Sequence, residues 1–290
     1  MKTALIAIPT NGKREDILDV IKNIHTSLEE INVKAVFSIC ADETDSILSK
    51  YHGDTIFFSL RPEKFDYTYH NIEAIKRGIL HFNPDFVSII ADDFVIPATK
   101  FGNLIRPLLD EYDAVFGSWG SNEIAATYPK FQYVSELFIS RMANVAPKSS
   151  SVNYNSMVSY TFDYKSDFSN IVQLFTGLFA FKIEKWNLIL DRLIQIYGST
   201  KLGWSLEIPV FLSSHDKGMR IISVACDKVK EDNSPIYGER ITRLTQIKDV
   251  FESINKYLEF TNQYEKLNKL VTIQSEMIKV VEDILNKSGA

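Results

Sequence analysis

Short apolar runs and amphipathic helical stretches take turns along residues 4–118, and this alternation restricts the fold more than any other feature of the chain. Residues 4–8 form an apolar run, stopped by Pro9 with the turn residues Thr10, Asn11 and Gly12 behind it. Ile17, Val20, Ile21, Ile24 and Leu28 then recur at helical spacing. Residues 33–40 predict a second strand, 46–51 a short helix and 55–60 a third strand. Ile72, Ile75, Ile79 and Leu80 mark another helix, followed by a strand over 86–90, a helix over 99–112 and a strand over 114–118. Parallel neighbours need a long crossover, usually a helix, so the pattern predicts βαβ units and a sheet covered on both faces.

The rest of the chain is less regular. Residues 146–170 are rich in Ser, Asn and Tyr, including Tyr154, Tyr160 and Tyr164, and show no period, which predicts a long loop of the kind that closes over a ligand, or a rigid surface excursion. Residues 178–181 read as strand, 184–197 and 206–213 as helix, and 220–226 as strand. Residues 241–285 read as helical, with Leu244, Ile247, Phe251, Ile254 and Leu258 on one face and Leu267, Leu270, Val271, Met277, Val281 and Ile284 on another. These helices either pack on the main domain or form a dimerisation or membrane-surface element. The division expected is an α/β domain over 1–238 and a helical region over 239–290.

Composition removes several classes of function. The formal net charge of −5 gives no long-range pull toward nucleic acid. Two cysteines, Cys40 and Cys226, rule out a disulfide scaffold and a cysteine-ligated zinc module. Residues 1–9 carry one lysine and too short an apolar run to predict a signal peptide. No apolar run approaches the roughly 20 residues that cross a bilayer, so the expected compartment is cytoplasmic and reducing. Neither GxGxxG nor GxxxxGK[ST] follows the first strand, which counts against a dinucleotide oxidoreductase and a P-loop NTPase. There is no GxSxG elbow, and the five histidines show no paired zinc spacing.

In open α/β sheets, ligands sit at the carboxyl ends of the strands. The polar residues at those ends are Thr10 and Asn11 beside Pro9, then Asp42, Glu43 and Asp45, then Arg61, Glu63 and Lys64, then Asp92 and Asp93. The adjacent carboxylates of Asp92 and Asp93 repel one another and call for a cation or a basic partner. Mg²⁺ or Mn²⁺ bridging two phosphates supplies one; a solvated turn or helix cap is the other reading.

Taken in order, these segments resemble the glycosyltransferases of GT-A fold in the broad family 2 style, which includes the mannosylglycerate synthase type. The resemblance spans residues 2–238. Ala7-Ile8-Pro9-Thr10-Asn11 resembles the opening strand that meets the nucleotide, and Cys40-Ala41-Asp42-Glu43-Thr44-Asp45 the acidic strand end that holds base or ribose. Arg61-Pro62-Glu63-Lys64 with Asn71-Ile72-Glu73-Ala74 resembles the stretch before the metal motif, and Ile89-Ile90-Ala91-Asp92-Asp93-Phe94-Val95-Ile96-Pro97 the Asp-x-Asp segment. Thr176-Gly177-Leu178-Phe179 resembles the acceptor-side strand, and Gly203-Trp204-Ser205-Leu206-Glu207 the Trp-x-x-acid segment. Lys217-Gly218-Met219-Arg220-Ile221 resembles the turn that follows. The chain departs from the pattern at two places. One acid of Asp-x-Asp-Asp is missing, and residues 227–233 carry no metal-binding His, leaving Asp232 or Asn233 as an oxygen ligand.

The resemblance implies an α/β nucleotide-diphospho-sugar transferase sheet with helices on both faces and a helical C-terminal region. It implies transfer of a sugar from a nucleotide-sugar donor to a small-molecule or glycan acceptor, dependent on Mn²⁺ or Mg²⁺. Pro9, Thr10, Asp42, Asp45, Arg61, Lys64, Asn71 and Asp92 are then the donor-binding residues, Gly177 and Trp204 the acceptor side, and Asp92, Asp93 and Asp232 the metal ligands. Glu207 is the catalytic base for the acceptor hydroxyl, or a carboxylate favoured by a helix N-terminus. Trp204 stacks on a sugar or belongs to the core. Homo-oligomerisation would use the C-terminal helices. Two alternatives stand beside this reading: a nucleotidyltransferase, which lacks its usual Gly-rich loop here, and a non-catalytic nucleotide- or sugar-binding protein that has lost metal acids.

Overall fold

In the computed structural model of the chain, the described residues are 1–10, 17–41, 54–60, 66–90, 94–95, 100–118, 130–148, 174, 177–226, 229–230 and 240–287. The first part runs β1 (Lys2–Thr10), α1 (Ile17–Glu29), β2 (Val33–Ala41), β3 (Ile56–Leu60), α2 (Tyr67–Phe82), β4 (Phe86–Ile90), β5 (Phe94–Val95), α3 (Gly102–Leu109) and β6 (Ala114–Ser118). The second runs α4 (Lys130–Val145), β7 (Leu178–Lys182), α5 (Ile183–Tyr197), α6 (Glu207–Asp216), β8 (Ile221–Ala225), β9 (Val229–Lys230), α7 (Arg240–Phe260) and α8 (Tyr264–Lys287). The short helix expected over 46–51 lies outside the described residues.

Seven strands form one sheet in the order β3-β2-β1-β4-β7-β6-β8. The ladders joining β1 to β2 and β4, β2 to β3, and β6 to β8 are parallel, as the alternation predicts. β7 is antiparallel to both β4 and β6, so the sheet is mixed. Pro9 does not stop β1: the strand continues through Thr10, with Pro9 opposite Cys40 and Thr10 opposite Ala41. The ladder to β4 ends at Ala7, so Pro9 needs a partner on one flank only, where a missing N–H is tolerated.

Both faces of the sheet are buried. Leu5 and Ala7 of β1, Val87 and Ile89 of β4, and Phe179 and Phe181 of β7 pack on one side with α2, α4, α5, α6 and the C-terminal helices. Ala4, Ile6 and Ile8, Phe86 and Ile90, and Leu178 and Ala180 pack on the other with α1 and α3. This is the period of two expected of a strand, with apolar residues at both phases because neither face meets water. Ile72 and Ile75 of α2 are buried, but Leu80, expected on the same face, is exposed, and Phe82 packs near the core instead. Ile247, Val250, Phe251, Ile254, Tyr257 and Leu258 of α7 share a core with the sheet, so the C-terminal helices pack on the α/β unit. The class is the one the sequence implies: α/β, helices on both faces, and a helical C-terminal region.

Candidate active site

The parallel strands end together at one edge, where Thr10, Ala41, Leu60, Ile90, Ser118 and Ala225 close β1, β2, β3, β4, β6 and β8. β7 enters at that edge, with Leu178 opposite Ile90, so Gly177 (φ 64°) sits beside the end of β4. Pro9 and Thr10 reach the edge on β1, and Thr10 is buried there. α2 returns the chain from β3 toward the start of β4, and α6 returns it toward the start of β8. Both helices therefore begin at the carboxyl edge.

Two helix beginnings meet there. Asp66 caps α2, its Oδ1 accepting from the Tyr69 N–H at 2.7 Å, which satisfies one of the free donors of the first turn. Tyr67 is the first residue of α2, and its hydroxyl donates to Glu207 Oε1 at 3.0 Å. Glu207 is the first residue of α6 and is only 4% exposed. A buried carboxylate needs partners, and a hydrogen bond to a charged group contributes about 1.5–3 kcal/mol. The start of a helix also favours negative charge. Trp204 is half-buried and stacks on the Tyr67 ring, with centroids 5.7 Å apart and planes at 15°. Trp204 and Glu207 are thus brought together through Tyr67.

Asn71 lies one turn further along α2. Its amide nitrogen donates to the Tyr67 carbonyl at 3.0 Å, while Asn71 Oδ1 is buried with no hydrogen-bond partner among the described residues. On the same helix face, Gly78 lies against Leu5 and Ser38. Asn71 is two turns nearer the carboxyl edge, about 10 Å along the axis. A buried acceptor without a partner is uncommon and costly.

The turn that delivers Trp204 and Glu207 is held by its backbone. Gly203 has φ 60°, and a Cβ there would meet the Asp249 carboxylate, so glycine is required on both counts. The Gly203 N–H donates to Asp66 Oδ2 at 3.1 Å. The Gly203 carbonyl accepts from the Thr68 N–H at 3.0 Å and the Thr68 hydroxyl at 2.9 Å. The Trp204 N–H donates to Asp249 Oδ2 at 3.3 Å, and the Ser205 and Ser253 hydroxyls lie 2.8 Å apart. Burial pushes the Asp249 carboxyl above the usual range; the nearby Glu252 and Asp66 charges add to this, against the pull of the Trp204 N–H.

Of the other expected site residues, Asp42, Asp45, Arg61, Lys64, Asp92, Asp93 and Asp232 lie outside the described residues. Residues 149–170 of the expected long loop do as well. A second, smaller sheet joins two segments far apart in sequence. β5 and β9 form a two-stranded antiparallel ribbon, with Phe94 opposite Lys230 and Val95 opposite Val229. The chain therefore enters β5 and leaves β9 at the same end of the ribbon. Asp92-Asp93 immediately precede β5, and Glu231-Asp232 immediately follow β9. Among the described residues, no group of three His, Cys, Asp or Glu could hold a metal ion, and no helix is long and apolar enough to cross a membrane.

Tyr67 and Asp249 escaped the sequence reading. Their partners Glu207 and Trp204 are 140 and 45 residues away, and no local periodicity marks such contacts.

No family model matches the chain, and no curated protein matches it. Among solved structures, the chain is similar to CMP:2-keto-3-deoxy-manno-octonic acid synthetase complexed with CTP. Identity is 14% and the TM-score 0.46, over 85% of this chain and 100% of that one. It is also similar to S. aureus TarS 1-349, with 13% identity and a TM-score of 0.45, over 89% of this chain and 71% of that one. These distant likenesses carry no argument about what this chain acts on.

Proposed function

We propose that the chain is a glycosyltransferase that moves a sugar from a nucleotide-sugar donor to an acceptor hydroxyl, with Glu207 as the base. The observation that carries this reading is the buried Glu207 carboxylate, held by the Tyr67 hydroxyl beside the Tyr67–Trp204 stack at the carboxyl edge. In an inverting transfer, the acceptor oxygen attacks the anomeric carbon while Glu207 takes its proton. The bond from that carbon to the diphosphate breaks, and its electron pair leaves on the phosphate oxygen. Trp204 offers an aromatic face to an apolar sugar face, with Gly177 on the same acceptor side. Pro9, Thr10 and Asn71 border the donor, Asp42 and Asp45 take the nucleoside, and Arg61 and Lys64 face the phosphates.

Asp92, Asp93 and Asp232 are the proposed ligands of Mn²⁺ or Mg²⁺. Their oxygens suit a hard cation, and the antiparallel β5–β9 ribbon supports drawing the set from these two separate segments. When bound, the cation offsets the charge on the departing nucleoside diphosphate.

A panel of nucleotide sugars assayed for nucleoside-diphosphate release, with and without Mn²⁺, tests the reading. Metal-dependent release from at least one donor, abolished in Glu207→Gln, is the expected result. Metal-dependent nucleotide binding without turnover of any donor would instead favour a non-catalytic binding protein.

A further inference from the structure

The backbone hydrogen bonds around Gly203 and Trp204 tie the candidate site to the C-terminal helices. Two residues of α7, Asp249 and Ser253, stand one helical turn apart and so on one face. Asp249 Oδ2 accepts from the Trp204 N–H at 3.3 Å, and the Ser253 hydroxyl meets that of Ser205 at 2.8 Å. Ser205 is fully buried and also donates to the Leu202 carbonyl. α2 in turn holds Gly203 through Asp66 and Thr68. The segment that presents Trp204 and Glu207 is thus gripped between the start of α2 and the middle of α7.

This grip has a cost. Asp66 and Asp249 approach adjacent N–H groups of one turn, Glu252 adds a third carboxylate nearby, and burial of Asp249 raises its pKa. An uncharged residue would avoid that repulsion.

We propose that Asp249 is a positioning residue. Acting from the C-terminal helical region, it fixes the Gly203–Trp204 turn and thereby sets Trp204 and Glu207 against the acceptor. This rests on the glycosyl transfer proposed above. Asp249 touches neither donor nor acceptor in this account, so its loss acts on turnover through the turn and leaves donor affinity nearly unchanged.

The full-length chain and its Asp249→Ala, Asp249→Asn and Ser253→Ala variants test this by two readouts. The first is the emission of Trp204, isolated by subtracting the spectrum of Trp204→Phe. The second is nucleoside-diphosphate release from UDP-glucose, UDP-N-acetylglucosamine and GDP-mannose with Mn²⁺. Asp249→Ala is expected to red-shift Trp204 emission and lower kcat about 10- to 100-fold, with donor KM changed less than about twofold. Asp249→Asn keeps an oxygen acceptor and is expected to recover the emission and most of kcat. Ser253→Ala, which removes the second contact, is expected to give a smaller change in the same direction and decides the matter if Asp249→Ala does not fold. Unchanged Trp204 emission in a folded Asp249→Ala or Ser253→Ala would overturn the proposal, as would an Asn variant as impaired as the Ala variant. If the wild-type chain releases no nucleoside diphosphate, the proposed reaction fails by itself, and the emission arm still decides whether Asp249 holds the turn.

Discussion

Glu207 combines burial at a helix start, a hydroxyl donor from another helix and an aromatic neighbour, and its proposed role as base rests on these surroundings. Replacing it by Gln keeps the size and removes the base, so kcat is expected to fall about 10²- to 10⁴-fold, with the fold retained by circular dichroism. Tyr67→Phe keeps the ring on Trp204 and deletes the hydrogen bond to Glu207. A loss of about 1.5–3 kcal/mol of stability is expected in denaturant unfolding, along with a fall in kcat smaller than that of Glu207→Gln. Equal stability of Tyr67→Phe and wild type would mean that water or another group replaces the hydroxyl at no cost.

The elements divide into those that local pattern reveals and those that long-range contact creates. β1, β2, β4 and β6 show in the sequence as short apolar runs, and α1 and α2 because their apolar residues repeat at three and four. Strand ends depend on which flank is paired, which is why Pro9 reads as a stop in the sequence and is not one in the fold. α4 is not among the expected helices, although Phe131, Val134, Phe138, Met142 and Val145 stand at helical spacing. Trp204 and Glu207 were found as residues, but their joining through Tyr67, and the anchoring of their turn by α7, depend on contacts far apart in sequence.

Two predictions belong at the scale of elements. Lys266 of α8 donates to the carbonyl oxygens of Val145, Ala146 and Pro147 at 2.8, 3.3 and 3.1 Å, placing a cation on the negative end of α4. Burial draws its pKa down, so the charge is held at some cost. Lys266→Met leaves three carbonyls without this donor and is expected to cost about 1–3 kcal/mol in denaturant unfolding. Asp249 gives a dependence on pH. Because its folded pKa is raised, its contribution is full below the ordinary Asp value of 3.8 and is lost as pH rises through the folded pKa. Asp249→Asn is therefore expected to match or exceed the thermal midpoint of the wild type at pH 7, with the advantage shrinking as pH falls toward 4. An advantage that grows on acidification would contradict the raised pKa.

At the scale of the whole molecule, the α/β unit and the C-terminal helices are tied by a shared core and by the grip on the site turn. A chain ending before Arg240 exposes the partners of Ile247, Val250, Phe251, Ile254, Tyr257 and Leu258, and is expected to lose cooperative thermal unfolding. A sharp transition near the full-length midpoint would show that the sheet folds without them. The central claim is that the Glu207–Tyr67–Trp204 cluster at the carboxyl edge performs metal-assisted glycosyl transfer. Its most direct test is nucleoside-diphosphate release from a nucleotide-sugar panel by the wild-type chain and Glu207→Gln, each with Mn²⁺ and with the metal chelated. The account predicts release by the wild type from at least one donor only when metal is present, and none above background from Glu207→Gln. Equal release by the two proteins, or no release from any donor by the wild type, would contradict it.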